Sequence, residues 1–187
     1  SQAIGQVPNP VWKERQFHEK WLGGDTMNMS IGQGFMLASP LQVANIACMV
    51  LNDGIIYKPH LLKKIISPGS TEGEEEIERQ ILRRENISPK VFSQVREAMR
   101  AVITEGEART PMNNPYFKLA GKTGTAEVGM NDHWHSWMLS YGPYDAKVED
   151  MVVVSVIIEA KNKWEWWAPY ATNIIFQGIF ADQTYEE

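Results

Sequence analysis

Leu119-Ala120-Gly121-Lys122-Thr123-Gly124-Thr125-Ala126-Glu127 reads as one strand of a sheet, and the segments on either side of it settle the fold class. Two further strands follow it, His135 to Tyr141 and Met151 to Ala160, the first strand being taken from Lys118 to Glu127. Gly142-Pro143-Tyr144-Asp145 supplies turn chemistry between the second and third, over a linker short enough for an antiparallel pair. Met-Val-Val-Val-Ser-Val-Ile-Ile from position 151 is almost continuously apolar, which predicts a central strand covered on both faces. Pro169 then opens a helix with Ala171, Ile174, Ile175, Gly178 and Ile179 on one stripe.

Upstream, Ser39-Pro40-Leu41-Gln42 combines an N-cap serine, a proline at the first helical position and a glutamine three residues after the cap. This capping box predicts a helix from Pro40 to about Leu51, apolar nearly all round and therefore buried, stopped by Asn52-Asp53-Gly54. Ile55 to Ile66 holds β-branched residues around Pro59, as an edge strand or a strand in two pieces would. Ser67 to Glu78, with five glutamates, reads as a solvated loop. A helix beginning at Ser88-Pro89 and ending near Gly106 sets Val91, Val95, Met99, Val102 and Ile103 on one face. Residues 1 to 34 show no sustained period and read as irregular chain. The fold class is thus α+β, with helices packed on an antiparallel sheet.

Composition narrows the function. The 187 residues are 43% hydrophobic and 22% charged, ordinary globular proportions for one compact unit. A net charge of -5, with no basic stripe, argues against nucleic acid as a partner. The single cysteine, Cys48, forms neither an internal disulfide nor a CxxC zinc site and reads as an inert core residue. No run of 18 apolar residues is present, and Ser1 to Pro10 lack the pattern of a secretion signal. The chain begins without methionine, as an excised piece of something longer would.

The polar residues of the first strand carry the chemistry. Gly124 has no side chain, so a ligand can lie against the strand and bond its backbone as an added strand. Lys122 supplies positive charge, and Thr123 and Thr125 hydroxyl donors, for a carboxylate on that ligand. On the triplet alone, a solvated lysine on an exposed strand is the favoured reading of these residues.

Two more stretches shift that balance. Asp25-Thr26-Met27-Asn28-Met29-Ser30-Ile31-Gly32-Gln33-Gly34, followed by Ser39-Pro40-Leu41-Gln42-Val43-Ala44, resembles the entry to a buried helix in penicillin-binding protein transpeptidase domains. Asn52-Asp53-Gly54 through Lys58-Pro59-His60-Leu61, the Lys122-Thr123-Gly124 strand and His135-Ser136-Trp137 follow in the same order, so the resemblance covers roughly residues 8 to 180. Val7-Pro8 through Trp12-Lys13 and Trp21-Leu22-Gly23-Gly24-Asp25-Thr26 are most similar to the elongation-type class B members.

Of that family's three motifs, Ser-x-x-Lys, Ser-x-Asn and Lys-Thr-Gly, only the third occurs here. No serine is followed three positions on by lysine, and neither Ser-x-Asn nor Tyr-x-Asn is present. The resemblance therefore implies that residues 1–187 are the C-terminal portion of a single transpeptidase domain, inactive alone because the nucleophile-bearing half is absent. For the parent it implies serine acyl transfer that crosslinks peptidoglycan stem peptides. Lys122 and Thr125 would be catalytic, the latter through its oxyanion-binding N–H, and Thr123, Gly124 and Thr125 would bind substrate. No cofactor is implied. The implied partners are stem peptides, β-lactam antibiotics and a glycan-strand polymerase, with the parent held at the periplasmic or extracytoplasmic face of the inner membrane through an upstream segment. Loss of half a domain would also favour self-association of the fragment. The rival reading is a non-catalytic β-lactam-sensing or scaffold module; a serine β-lactamase is disfavoured by Ser30-Ile31-Gly32-Gln33-Gly34.

His133 and His135 are two apart, but spacing suggests no third ligand, so no metal site is expected. Trp164, Trp166 and Trp167 stand where the resembled family more often has small residues. They read either as loop aromatics anchored in a satellite core or as a platform for an apolar surface.

Overall fold

A computed structural model describes residues 4–66, 75–129, 132–162, 164 and 166–180. In chain order its elements are α1 (Pro10–Phe17), α2 (Gly23–Ser30), α3 (Pro40–Leu51), β1 (Ile55–Tyr57), β2 (Lys64–Ile65), β3 (Glu75–Glu76), β4 (Ile81–Arg84), α4 (Pro89–Thr104) and α5 (Arg109–Met112). The three long strands β5 (Ala120–Glu127), β6 (Trp134–Gly142) and β7 (Val152–Ala160) follow, and then α6 (Trp167–Phe180). The long strands form an antiparallel sheet of order β5-β6-β7, with Thr125 opposite Ser136 and Ser136 opposite Ile158.

Alternation of side chains gives that sheet two covered faces. On one, Ala120 and Tyr141 pack with Ala47, Val50 and Leu51 of α3 and with Phe92 and Met99 of α4. On the other, Leu119 and Met138 pack with Ile103, Met112, Ala168 and Phe176. A buried hydrogen bond fastens α6 to this second face, the Ala168 N–H donating to Ser136 Oγ at 3.1 Å. β7 is not the central strand its composition predicts. β6 is central, while β7 is half-buried and has no strand on its outer flank among the described residues.

The expected α3 forms at the expected bounds, with its capping box closed: Ser39 N donates to Gln42 Oε1 at 2.8 Å and Gln42 N donates to Ser39 Oγ at 3.3 Å. Its burial is one-sided, however. Ala47, Val50 and Leu51 are buried, whereas Leu41 and Ile46 are exposed, because the sheet and α4 cover only one flank. In α4 the buried residues are Phe92, Met99 and Ile103, so the packed stripe is turned toward Phe92 and leaves Val91 and Val95 exposed. The correction is larger in α6. Ala168, Thr172 and Phe176, four apart, meet the sheet, and the predicted stripe of Ile174, Ile175 and Ile179 faces outward. Thr172 is tolerated inside because its hydroxyl donates to the Ala168 carbonyl at 2.8 Å.

Residues 1 to 34 are not wholly irregular, since α1 and α2 lie within them. Asn9 caps α1, its side chain accepting from Trp12 N at 2.9 Å, and Pro10 fills the first helical position. Lys13 of α1 is buried, and its Nζ donates to Asp25 Oδ2 of α2 at 2.8 Å. That bond is the main reason the Asp25 carboxyl is held below, and the Lys13 ammonium above, its ordinary value. Trp12, Phe17 and Phe35 pack around this pair with centroids 5.0–5.6 Å apart.

Ile55 to Ile66 is a strand in two pieces: β1 pairs with β4, and β2 with β3. Of the acidic stretch expected as a loop, Glu75–Glu76 instead form β3, and 67–74 lie outside the described residues.

Candidate active site

The polar strand β5 lies at one edge of the sheet, with β6 on its other side. The side-chain amide of Gln33 fixes which of its peptide groups face that edge. Gln33 Nε2 donates to the Thr125 carbonyl at 3.4 Å, and the Glu127 N–H donates to Gln33 Oε1 at 3.3 Å. In an antiparallel ladder both backbone groups of every second residue point the same way, so the Thr125 N–H also faces outward, as do the groups of Thr123. The edge therefore presents the Thr125 N–H as a donor to an arriving strand, the Thr125 carbonyl already accepting from Gln33.

Side chains alternate along β5, which separates residues that the sequence groups together. Thr123 and Thr125 project to the α6 face, and Lys122 and Gly124 to the α3 face. Lys122 is exposed, and its ammonium curls back over the edge to donate to the Thr123 carbonyl at 3.0 Å and to Thr123 Oγ1 at 3.4 Å. The fold thus joins Lys122 to Thr123 through the flexibility of the lysine stem. No protein partner lies within hydrogen-bonding distance of the Thr125 hydroxyl among the described residues. A Cβ on Gly124 would stand 3.3 Å from Trp137 Cβ, so packing against β6 as well as an open edge favours glycine there.

Two residues at this edge were not singled out from the sequence as site residues. Glu107, between α4 and α5, accepts from Thr123 Oγ1 through Oε2 at 3.1 Å. It carries no motif signal, because only the folded chain brings it beside β5. Gln33 stands between Gly32 (φ 76°) and Gly34 (φ 73°), and that doubled left-handed glycine was the available signal for a deliberately aimed side chain.

The other candidates sit elsewhere. His135 lies on the α3 face with Nε2 3.9 Å from Glu159 Oε2, and the described residues hold no group of three His, Cys, Asp or Glu placed to hold a metal. Trp164 packs edge-on to Trp167 at 4.6 Å and stacks on Tyr170 at 5.6 Å, while Trp167 Nε1 donates to Asn162 Oδ1 at 2.8 Å. The tryptophans are anchored to one another at the start of α6, with Trp164 and Trp167 partly exposed. Cys48 is half-buried, and burial pushes its thiol up. A cleft of about 560 Å³ lined by Arg100, Tyr116, Lys118, Asp145 and Phe180 opens at the start of β5, away from the triplet.

The antiparallel sheet flanked by helices is a fold shared with solved penicillin-binding protein structures. Residues 7–181 match the family model of the penicillin-binding protein transpeptidase domain. The chain belongs to that family. It is 32% identical over 178 residues to the peptidoglycan D,D-transpeptidase MrdA of Haemophilus influenzae, covering 84% of this chain and 26% of that protein. Against MrdA of Acinetobacter baumannii identity is 36% over 134 residues, covering 68% of this chain and 19% of the relative. The crystal structure of Pseudomonas aeruginosa PBP2 in complex with WCK 5153 superposes at a TM-score of 0.73 and 25% identity, covering all of this chain and 40% of that one. A structure of a peptidoglycan synthase complex that coordinates polymerization and crosslinking superposes at a TM-score of 0.79 and 25% identity, covering 100% of this chain and 30% of that one. The chain spans about a quarter of the length of the H. influenzae relative, 26%.

Proposed function

We propose that residues 1–187 are the C-terminal portion of the transpeptidase domain of a peptidoglycan D,D-transpeptidase of the elongation type, the nucleophile-bearing half lying upstream in the parent chain. The observation that carries this reading is the outward-facing backbone of Thr125 on an open strand edge, beside the Lys122 ammonium. Within the family match, that edge suits a peptide ending in a carboxylate.

In the proposed reaction a serine of the upstream half attacks the carbonyl of a stem-peptide D-Ala-D-Ala bond, forming an acyl ester and releasing D-alanine. The amine of a second stem then displaces the serine and forms the crosslink. The Thr125 N–H would donate to the oxyanion of each tetrahedral intermediate, a contact worth about 2.7–4 kcal/mol. Lys122 would attract the terminal carboxylate, with the Thr125 and Thr123 hydroxyls as its donors, and Gly124 would let the substrate lie close. A β-lactam, carrying a carboxylate beside its strained amide, would enter the same way.

The parent would work at the extracytoplasmic face of the inner membrane, anchored upstream, beside a glycan-strand polymerase. Among the described residues no helix is long and apolar enough to cross a membrane. The exposed Ile174, Ile175 and Ile179 on α6 and the open flank of β7 fit a surface normally covered by the upstream half. By the same reasoning the isolated segment would self-associate.

Intact-mass measurement after incubation with a labelled penicillin tests the proposal. The full-length parent gains one acyl adduct per chain, and the isolated segment gains none. A stoichiometric adduct on the segment, or none on the folded parent, contradicts it; the latter result is what a non-catalytic scaffold would give.

A further inference from the structure

We infer that Glu107 is a competing carboxylate at the anion-binding end of β5, one that takes the single proton Thr123 can donate until an anionic ligand displaces it. This rests on the reading of β5 as the substrate edge. A threonine hydroxyl has one donor and two acceptor positions. Thr123 Oγ1 lies 3.1 Å from Glu107 Oε2 and 3.4 Å from Lys122 Nζ. An ionised carboxylate only accepts and an ammonium only donates, so both bond directions are fixed by chemistry: Lys122 to Thr123, Thr123 to Glu107. The hydroxyl's donor is therefore already committed, whereas that of Thr125 has no protein partner among the described residues.

Glu107 is held in place from both sides. Gly106 N donates to the Ala101 carbonyl at 3.0 Å, and Ala108 N donates to the Val102 carbonyl at 3.2 Å, with Ala108 fully buried. A ligand carboxylate reaching Thr123 thus meets a like charge on an anchored segment, while Thr125 and Lys122 remain open to it. In this arrangement Glu107 tunes how strongly the site prefers anions, and lowers the occupancy an anionic ligand reaches at a given concentration. Because these groups are solvent-exposed, water screens the competition to a few-fold effect.

The test compares acylation of the full-length parent by benzylpenicillin and by its methyl ester, which lacks the charge. Glu107→Ala raises the second-order rate with benzylpenicillin about two- to fivefold, the scale of an exposed ion pair. Glu107→Gln raises it less, because its amide oxygen still accepts the Thr123 proton. The rate with the ester stays at the wild-type value in both variants. Rates with benzylpenicillin that are unchanged or lower in both folded variants overturn the inference, as does an equal gain with the ester. Lys122→Ala run alongside separates two failures. If it slows benzylpenicillin and the Glu107 variants change nothing, only the role of Glu107 is lost; if it too is without effect, β5 is not the anion site.

Discussion

Lys122→Ala in the full-length parent slows acylation by benzylpenicillin at least tenfold, a loss of about 1.4 kcal/mol or more of transition-state stabilisation. The Lys122 side chain is exposed and, among the described residues, bonded only to Thr123, so its removal takes away a charge and leaves the sheet intact. An exposed substitution of this kind changes stability by about 0.5 kcal/mol or less, which keeps the melting temperature within about 2 °C. Lys122→Arg restores the charge on a planar fork that cannot fold back over the strand as the lysine stem does, so recovery is partial. Thr125→Val removes the hydroxyl that would donate to the ligand carboxylate while keeping the N–H, and weakens carboxylate binding more than it slows the acyl step. A folded Lys122→Ala variant with an unchanged second-order rate would make β5 an ordinary strand.

Gly121→Val has the largest effect expected on stability. A Cβ at Gly121 would fall 2.5 Å from the Leu139 carbonyl oxygen and 2.9 Å from Ser140 Cβ, and backbone cannot swing aside as a side-chain tip does. Overpacking a tight site costs about 1–3 kcal/mol and occasionally more. The upper end applies here, because relief requires parting β5 from β6. At roughly 2–4 °C per kcal/mol for a domain of this size, the melting temperature falls by about 10 °C. Gly124→Ala meets, among the described residues, only Trp137 Cβ, at 3.3 Å, and costs much less. Differential scanning calorimetry of both variants checks the contrast; similar melting temperatures would mean that β5 and β6 yield freely at Gly121.

The elements legible in the sequence are those with a local signature. The capping box of Ser39 and Gln42 marks the start of α3 and Asn52-Asp53-Gly54 its end, and the three strand segments appear in order, the second and third with the antiparallel pairing that their turn implies. α1 and α2 were not legible: each has eight residues and no apolar stripe, and they are held by the Asn9 cap and the Lys13–Asp25 bond, which leave no period to read. The α6 helix is apolar on two sides, and periodicity does not say which one meets the sheet, so the sequence points to the outward stripe. The same limit governs the site. Lys122, Thr123, Gly124 and Thr125 are adjacent and announce themselves, whereas Gln33 and Glu107 reach β5 from 92 and 16 residues away.

A crystal structure of the full-length parent acylated by benzylpenicillin tests the central claim most directly, namely that the open edge of β5 receives the substrate. The acyl carbonyl oxygen is expected within hydrogen-bonding distance of the Thr125 N–H, with the penicillin carboxylate on Thr125 Oγ1 beside Lys122 Nζ and the Gln33 amide at the end of the added strand. An acyl group whose carbonyl and carboxylate make no contact with β5 would contradict it.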